Sequence, residues 1–456
     1  MNMKYGLFSH KSIIILLMTL SVIVHALWFG QPNSAVFDEV HFGKFITAYF
    51  THEYYFDIHP PLGKLVVAGW GWLWGYQPGF SFANIGEVYP DNLYMALRLL
   101  PTLAGLLLPL VIYGIGRRLR LSNPAAFLAG LFVVLDNALL VQSRLILLDS
   151  FLLLFGFGAI YFWLRYRDTH ALSNLILVGV LSGAAMCIKW TGISFIALIV
   201  LWEIIALITR IRTHGFMASW PEMRLRVAFL GILPLLIYII PYIVHFSLLS
   251  KSGPGDAFMS PRFQHQLAGS RYESDATLAP LSTLEKTIEL NIEMYRANER
   301  LTASHPYAST WYSWPLMMRP IFYWTQNTSR IYLIGNPLVW WASTAGVIAL
   351  LLTVVLSRFR AVPRTPLFLL SAWLANILPF VGITRVMFLY HYFTALIWAI
   401  LMLAYIIDGK PQHTRKTVLA LGGVALACFI FFAPLSYGLP LSEKGFSMRA
   451  WLTSWR

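Results

Sequence analysis

Two acids stand side by side at Asp38-Glu39, in the stretch Val36-Phe37-Asp38-Glu39-Val40-His41-Phe42-Gly43-Lys44, and His59-Pro60-Pro61-Leu62-Gly63-Lys64 follows shortly after. A carboxylate can take the proton from an attacking hydroxyl, and cations can hold an anionic leaving group. These residues come directly after an apolar run, Ser12–Gly30. Whatever they do, they do it at a membrane surface.

Composition requires that setting. Hydrophobic residues make up 58% of the 456 positions and charged residues 12%, with a mean hydropathy of +0.64; soluble domains are about 25% charged. Such a chain cannot clothe a water-facing surface, so it is read as an all-α polytopic membrane protein. The net charge of +14 does not mark a nucleic-acid binder, because its Lys and Arg fall in short clusters between apolar runs. Cys187 and Cys428 lie within such runs and read as reduced core residues rather than a disulfide framework.

Runs near 11–30, 93–116, 123–141, 147–164, 171–188, 190–209, 226–249, 331–356, 364–383, 386–407 and 416–437 predict about eleven membrane helices. Val24-His25-Ala26 loosely resembles a signal-peptidase site, but cleavage would remove the anchor of the acidic pair, so the first run is read as retained. If the helices alternate, all the basic clusters share one side: Lys4 and Lys11; Arg117, Arg118 and Arg120; Arg165 and Arg167; Arg210, Arg212, Arg224 and Arg226; Arg358, Arg360 and Arg364; Lys410, Arg415 and Lys416. That side is cytoplasmic by the positive-inside rule. Two long segments, 31–92 and 250–330, then lie outside, on one integral-membrane domain spanning 1–456. Within the second, Leu281–Arg300 has the period of an interfacial amphipathic helix.

The outer boundary also collects ionisable residues from many turns: Asp38, Glu39, His59, Lys64 and Arg98, then Asp136, Arg144, Asp149 and Lys189, and finally Arg385 and His391. Isolated cations near helix ends commonly snorkel to headgroups. Acids interleaved with cations gain nothing that way. The set suits group transfer from a lipid-linked phosphate: cations for the phosphate, a carboxylate for the acceptor hydroxyl. No Walker loop, Asp-x-Asp pair or His-Glu-x-x-His occurs, and no full metal-ligand set is apparent, so no cofactor or metal is expected, although adjacent carboxylates could take a divalent cation. A transporter would show inverted repeats and midplane sites, and neither is visible. Asn327-Thr328-Ser329 fits a glycosylation triplet that also arises by chance.

FDEVHFGKF (37–45) and HEYYFDIHPPLGKL (52–65) resemble the first luminal loop of the protein O-mannosyltransferases, which use dolichyl or polyprenyl phosphate mannose. ALRLLPTLAG (96–105), DNALLVQSRLILLDSFLL (136–153), KWTG (189–192), SGPGDAFMSPRFQ (252–264), SWPLMMRP (313–320), GNPLVWW (335–341) and FLYHYFTAL (388–396) resemble later blocks in the family's order. The resemblance implies a GT-C type glycosyltransferase inverting at the sugar, with Asp38 as base and Glu39 as its support or acceptor-positioning partner. His59, Lys64, Arg98, Arg144 and Arg319 are the candidates for phosphate contact, Arg98 foremost; His41, Asp149, Lys189 and His391 are further candidates. The segment 250–330 is too short for the soluble MIR domain of large eukaryotic members, and the C-terminus carries no retrieval signal. Together these point to a bacterial inner membrane with the site facing the periplasm, a polyprenyl-phosphate sugar donor and an exported protein as acceptor. A relative with another sugar or a lipid acceptor, such as an aminoarabinose transferase, is the alternative.

Overall fold

The computed structural model describes residues 8–300, 304–357 and 362–456. Lys4, Arg358 and Arg360 of the basic clusters lie outside them. The apolar first run gives α1 (His10–Ala26), and the first outer segment folds into α2 (Glu39–Thr51) and α3 (Leu62–Leu73). Next come α4 (Leu93–Arg118), α5 (Asn123–Val134), α6 (Asn137–Ser143), α7 (Asp149–Thr169) and α8 (Leu172–Ile188). A π-helical turn at Ala228–Ile232 joins α10 (Phe216–Val227) to α11 (Leu233–Leu248), after α9 (Ile193–His214). The second outer segment holds α12 (Pro261–Gln264), α13 (Thr283–Arg300) and an antiparallel hairpin of β1 (Ile321–Gln326) and β2 (Ser329–Leu333). Helices α14 (Pro337–Leu356), α15 (Arg364–Ala375), α16 (Phe393–Asp408), α17 (Pro411–Tyr437) and α18 (Glu443–Arg449) complete the chain.

The chain is thus a helical, multi-pass membrane protein. Among the described residues six helical stretches are long and apolar enough to cross a bilayer, α10–α11 counting as one, or seven if the bent α5–α6 pair is one span; α1, α3 and α8 are apolar but shorter. A helix lies in each of the eleven expected stretches, with two corrections. Residues 331–333 belong to β2 rather than to a span, because their backbone pairs with β1. The stretch expected at 123–141 bends by 57°. There Asp136 caps α6, Oδ1 accepting from Leu139 N–H at 2.9 Å, while Oδ2 accepts from Asn336 N–H at 3.0 Å and Trp340 Nε1 at 2.7 Å. A buried carboxylate that collects three donors can hold a break open inside an apolar core.

Contacts bring the start of α1, the α4–α5 turn and the ends of α7 and α16, each beside a basic cluster, to one end. Arg118 pairs with Asp168 at 3.0 Å, Asp408 accepts from Ser122 N–H at 2.8 Å, and Asn123 donates to the Phe8 carbonyl at 3.0 Å. The acidic pair follows the opposite end of α1. Between the ends, α8 lies against α11 through Gly179 and Gly183, a small-x-x-x-small pair that allows close backbone approach. A Cβ on Gly183 would meet the Pro234 carbonyl oxygen at 2.6 Å, and one on Gly179 the Phe229 carbonyl oxygen at 2.4 Å. Gly183→Leu is therefore expected to cost upwards of about 2 kcal/mol by overpacking, read as a lower thermal unfolding midpoint in detergent. Gly423→Leu, with open space around its Cβ position, should leave the midpoint unchanged.

Candidate active site

The two adjacent acids have opposite surroundings. Glu39, fully buried at the start of α2, is saturated. Its Oε1 accepts from Arg98 Nε at 2.8 Å and Ile146 N–H at 2.9 Å; its Oε2 accepts from Arg98 Nη2 at 2.6 Å, Val36 N–H at 2.9 Å and the Tyr89 hydroxyl at 3.2 Å. Arg98, also fully buried, spends its remaining donors on the carbonyls of Gly30, Pro32 and Ser34, at 2.8, 2.7 and 2.9 Å. A guanidinium has five N–H donors, and all five are committed. Arg98, the foremost expected phosphate ligand, therefore holds the loop 30–39 and has no donor left for a substrate.

Asp38 precedes α2 at the N-cap position, where an aspartate ordinarily accepts from the first turn. It makes no such bond, and its carboxylate has no hydrogen-bond partner among the described residues. Instead it lines a cavity of about 1120 Å³. Burial pushes its carboxyl up to about 7; Lys189 pulls in the other direction, and Asp149 and Asp57 add to the rise. A proton acceptor near neutrality, in van der Waals reach of a large cavity, is what general-base work requires.

The cavity gathers some of the expected residues and not others. His41, His59, Asp149, Lys189 and His391 all line it beside Asp38. His59 is held well below its usual range by burial and by the cations around it, and burial with Lys44 lowers His41. Lys189 Nζ lies 2.8 and 2.9 Å from the two oxygens of Asp149, which also accepts from Gln142 Nε2 at 2.7 Å. His391 is stacked between Tyr390 and Trp314.

Lys64, Arg144 and Arg319 are placed elsewhere. Lys64 is buried, paired with Asp57 and bonded to the His59 carbonyl at 2.7 Å. Arg144 donates to the carbonyls of Leu27 and Trp28 and lies over the Tyr437 ring. Arg319 binds the carbonyls of Pro306 and Ser454 and lines a neighbouring cleft. None of the three reaches the cavity, because each is consumed by a local carboxylate or by carbonyls at a chain turn. Arg385 does reach it, half-buried and without an ion-pair partner among the described residues. In the sequence it was one of many outer cations. Only its position in the irregular stretch after α15, with no acid nearby in the chain, set it apart.

A family model described as dolichyl-phosphate-mannose-protein mannosyltransferase matches residues 13–250, and one described as the C-terminal four-transmembrane region of protein-O-mannosyltransferase matches 283–455. Dolichyl-phosphate-mannose–protein mannosyltransferase 4 of Saccharomyces cerevisiae is 32% identical over 292 residues, covering 60% of this chain and 36% of that protein. Protein O-mannosyl-transferase 1 of Mus musculus is 36% identical over 261 residues, covering 53% and 34%. The chain thus spans about a third of the length of these relatives. Among solved structures, the S. cerevisiae Pmt1-Pmt2 complex bound to the sugar donor superposes with a TM-score of 0.91 at 21% identity, over 100% of this chain and 93% of that one. ArnT of Cupriavidus metallidurans bound to undecaprenyl phosphate superposes at 0.55, with 15% identity, over 94% and 66%. Both likenesses establish the GT-C fold.

The contrast between the two acids is testable without an activity assay. Glu39→Gln and Arg98→Lys each leave a buried charge short of partners and should cost about 3–5 kcal/mol, read as a lower unfolding midpoint. Asp38→Asn should keep or raise the midpoint at pH 8. A carboxyl raised to about 7 in the fold favours the folded state when protonated and loses that contribution as pH climbs towards 7. A drop for Asp38→Asn as deep as that for Glu39→Gln would contradict the assignment.

Proposed function

The chain belongs to the dolichyl-phosphate-mannose–protein mannosyltransferase family, and from that membership we propose that it moves a mannosyl group from a polyprenyl-type phosphate mannose to Ser or Thr hydroxyls of exported proteins. The observation that carries this is the unpaired Asp38 carboxylate at the wall of a cavity that also holds Lys189 and Arg385. In the proposed reaction the acceptor hydroxyl attacks the anomeric carbon while the bond from that carbon to the phosphate oxygen breaks. The hydroxyl proton passes to Asp38, and the lipid phosphate leaves with the bonding pair. One displacement with one base inverts the sugar configuration, as in inverting glycosidases. The leaving group is already a good anion, so cations serve it better than an acid: Arg385 is the proposed phosphate clamp. The proposed chemistry draws on no metal or cofactor.

The proposed face is the non-cytoplasmic one, opposite the basic clusters, and the proposed setting is a bacterial inner membrane with the site in the periplasm. The second outer segment, at 250–330, leaves no room for the soluble domain of the large eukaryotic members, which supports a compact bacterial form. The relatives described above are eukaryotic, so the membrane of origin rests on that segment.

Purified protein incubated with radiolabelled polyprenyl phosphate mannose and a Ser/Thr-rich peptide should label the peptide. kcat/KM should rise with pH through about 7, because only the ionised carboxylate accepts the proton, and should level off above. Asp38→Asn should lose a factor of at least about 10² in kcat. Arg385→Gln should raise donor KM roughly tenfold or more, the loss of a charged hydrogen bond. An unlabelled peptide with a labelled lipid product would move the acceptor to the lipid class, and full activity in Asp38→Asn would sink the mechanism.

A further inference from the structure

Tyr323 stands out because the hairpin is irregular at that residue. Phe322 pairs with Tyr332 and Trp324 with Ile331, so Tyr323 is the extra residue of a β-bulge. Bulges re-aim a side chain and occur next to active sites. The re-aimed ring stacks on Phe37, centroids 4.0 Å apart and planes within 7°. Phe37 has a φ of +47°, a left-handed conformation that costs a residue with a Cβ about 1 kcal/mol or more. The stack, with Phe388 edge-on at 6.4 Å, holds Phe37 there, and the next residue is Asp38.

The hydroxyl of Tyr323 does a second job. It donates to Gln142 Oε1 at 2.6 Å, and Gln142 Nε2 donates to Asp149 Oδ2 at 2.7 Å. The phenol fixes which end of the amide faces the carboxylate; a flipped amide would set oxygen against oxygen. Asp149 in turn grips Lys189 through both oxygens. Stack and hydroxyl thus reach Asp38 along two routes, one through the backbone and one through the charges beside it.

We propose that Tyr323 is the positioning residue for the Asp38 carboxylate, its ring fixing the Phe37 turn and its hydroxyl orienting Gln142 and hence the Asp149–Lys189 pair. The proposal rests on reading Asp38 as the base. A buried tyrosine that only filled core space would need neither the bulge nor the oriented amide. The charged and titratable groups around Asp38 are His41 of α2, Asp57 and His59 of the first outer segment, Asp149 and Lys189 behind it, and Arg385, Tyr390 and His391 across the cavity. Only Asp149 and Lys189 are reached through Tyr323.

Tyr323→Phe keeps the ring and removes the hydroxyl. Gln142 is then free to turn from Asp149, whose charge beside Asp38 is left less screened. The rising limb of the kcat/KM profile for mannosyl transfer to the Ser/Thr peptide should move up by about half a pH unit or more. Phe37→Gly suits the left-handed backbone but abolishes the stack. Its kcat should fall roughly tenfold to a hundredfold, as misplacement of a reacting group does, with donor KM changing far less than kcat. If backbone conformation alone placed Asp38, glycine would preserve kcat. A wild-type pH profile for Tyr323→Phe, or wild-type kcat for Phe37→Gly, overturns the proposal while leaving the function in place. A wild-type protein that transfers no sugar overturns the reading on which it rests.

Discussion

The Glu39–Arg98 pair is the constraint on which the site depends. Taking both charges out of water costs several kcal/mol per ion, and a bare pair in the interior often fails to recover it. Here the recovery comes from numbers. The carboxylate accepts five hydrogen bonds, and the guanidinium donates its full complement, three of those bonds going to carbonyls of the loop that enters α2. The loop 30–39 buries Ala35, Val36 and Phe37 near its end, but its first half, Gly30-Gln31-Pro32-Asn33-Ser34, offers little apolar surface with which to hold a shape. Arg98 supplies the shape by threading the carbonyls of Gly30, Pro32 and Ser34 onto one side chain, and Ile146 N–H, bonded to Glu39, ties the loop to the segment entering α7.

Once that pair is closed, the other charges sort themselves by what is nearest. Lys64 goes to Asp57, Lys189 to Asp149, and Arg144 and Arg319 to backbone carbonyls. The two ion pairs offset the cost of burying those charges, and the carbonyls satisfy the guanidinium donors of Arg144 and Arg319. Of the inward-lying charges, Asp38 and Arg385 face the cavity without partners among the described residues, while Glu299 and Arg300 line its exposed rim. A carboxylate and a guanidinium left open on one cavity are what separate a site from a set of structural ion pairs. The distinction lies in the pairings, not in the residue types.

That is also why the sequence was legible only in part. The apolar runs placed a helix at every expected stretch, and the amphipathic period over 281–300 met a helix at Thr283–Arg300, because those signals are local. The acidic pair was recognisable as a unit, but nothing in Asp38-Glu39 says which member will be paired. The answer sits in Arg98, 59 positions away, and in a loop conformation that side chain imposes. Arg98 looked like a phosphate ligand for the same reason it is a good strut: a guanidinium serves carboxylate, carbonyl and phosphate alike. The start of β2 was read as part of a span because Ile331-Tyr332-Leu333 is apolar, and a buried strand and a helix end look the same over three residues. Tyr323 gave no signal at all, since a bulge is a property of pairing.

The two acids also show what the proposed base requires of its surroundings. A carboxylate with a near-neutral proton affinity must be starved of hydrogen bonds, because each donor would favour its ionised form and bring it back towards the ordinary carboxylate range. At the start of a helix, unpaired N–H groups would do this readily, and a lone aspartate there would simply cap the helix. Here the first-turn N–H groups are taken by backbone carbonyls instead, Val40 N–H by that of Phe37 and His41 and Phe42 N–H by that of Asp38, while Val36 N–H and Arg98 go to Glu39. The left-handed Phe37 completes the turn at a cost in backbone energy. The stability lost at Asp38 and Phe37 is set against the dense bonding of Glu39 one residue along the chain, so the adjacent acids divide the roles: one is saturated and holds the loop, and the other, without a hydrogen-bond partner among the described residues, is the proposed base.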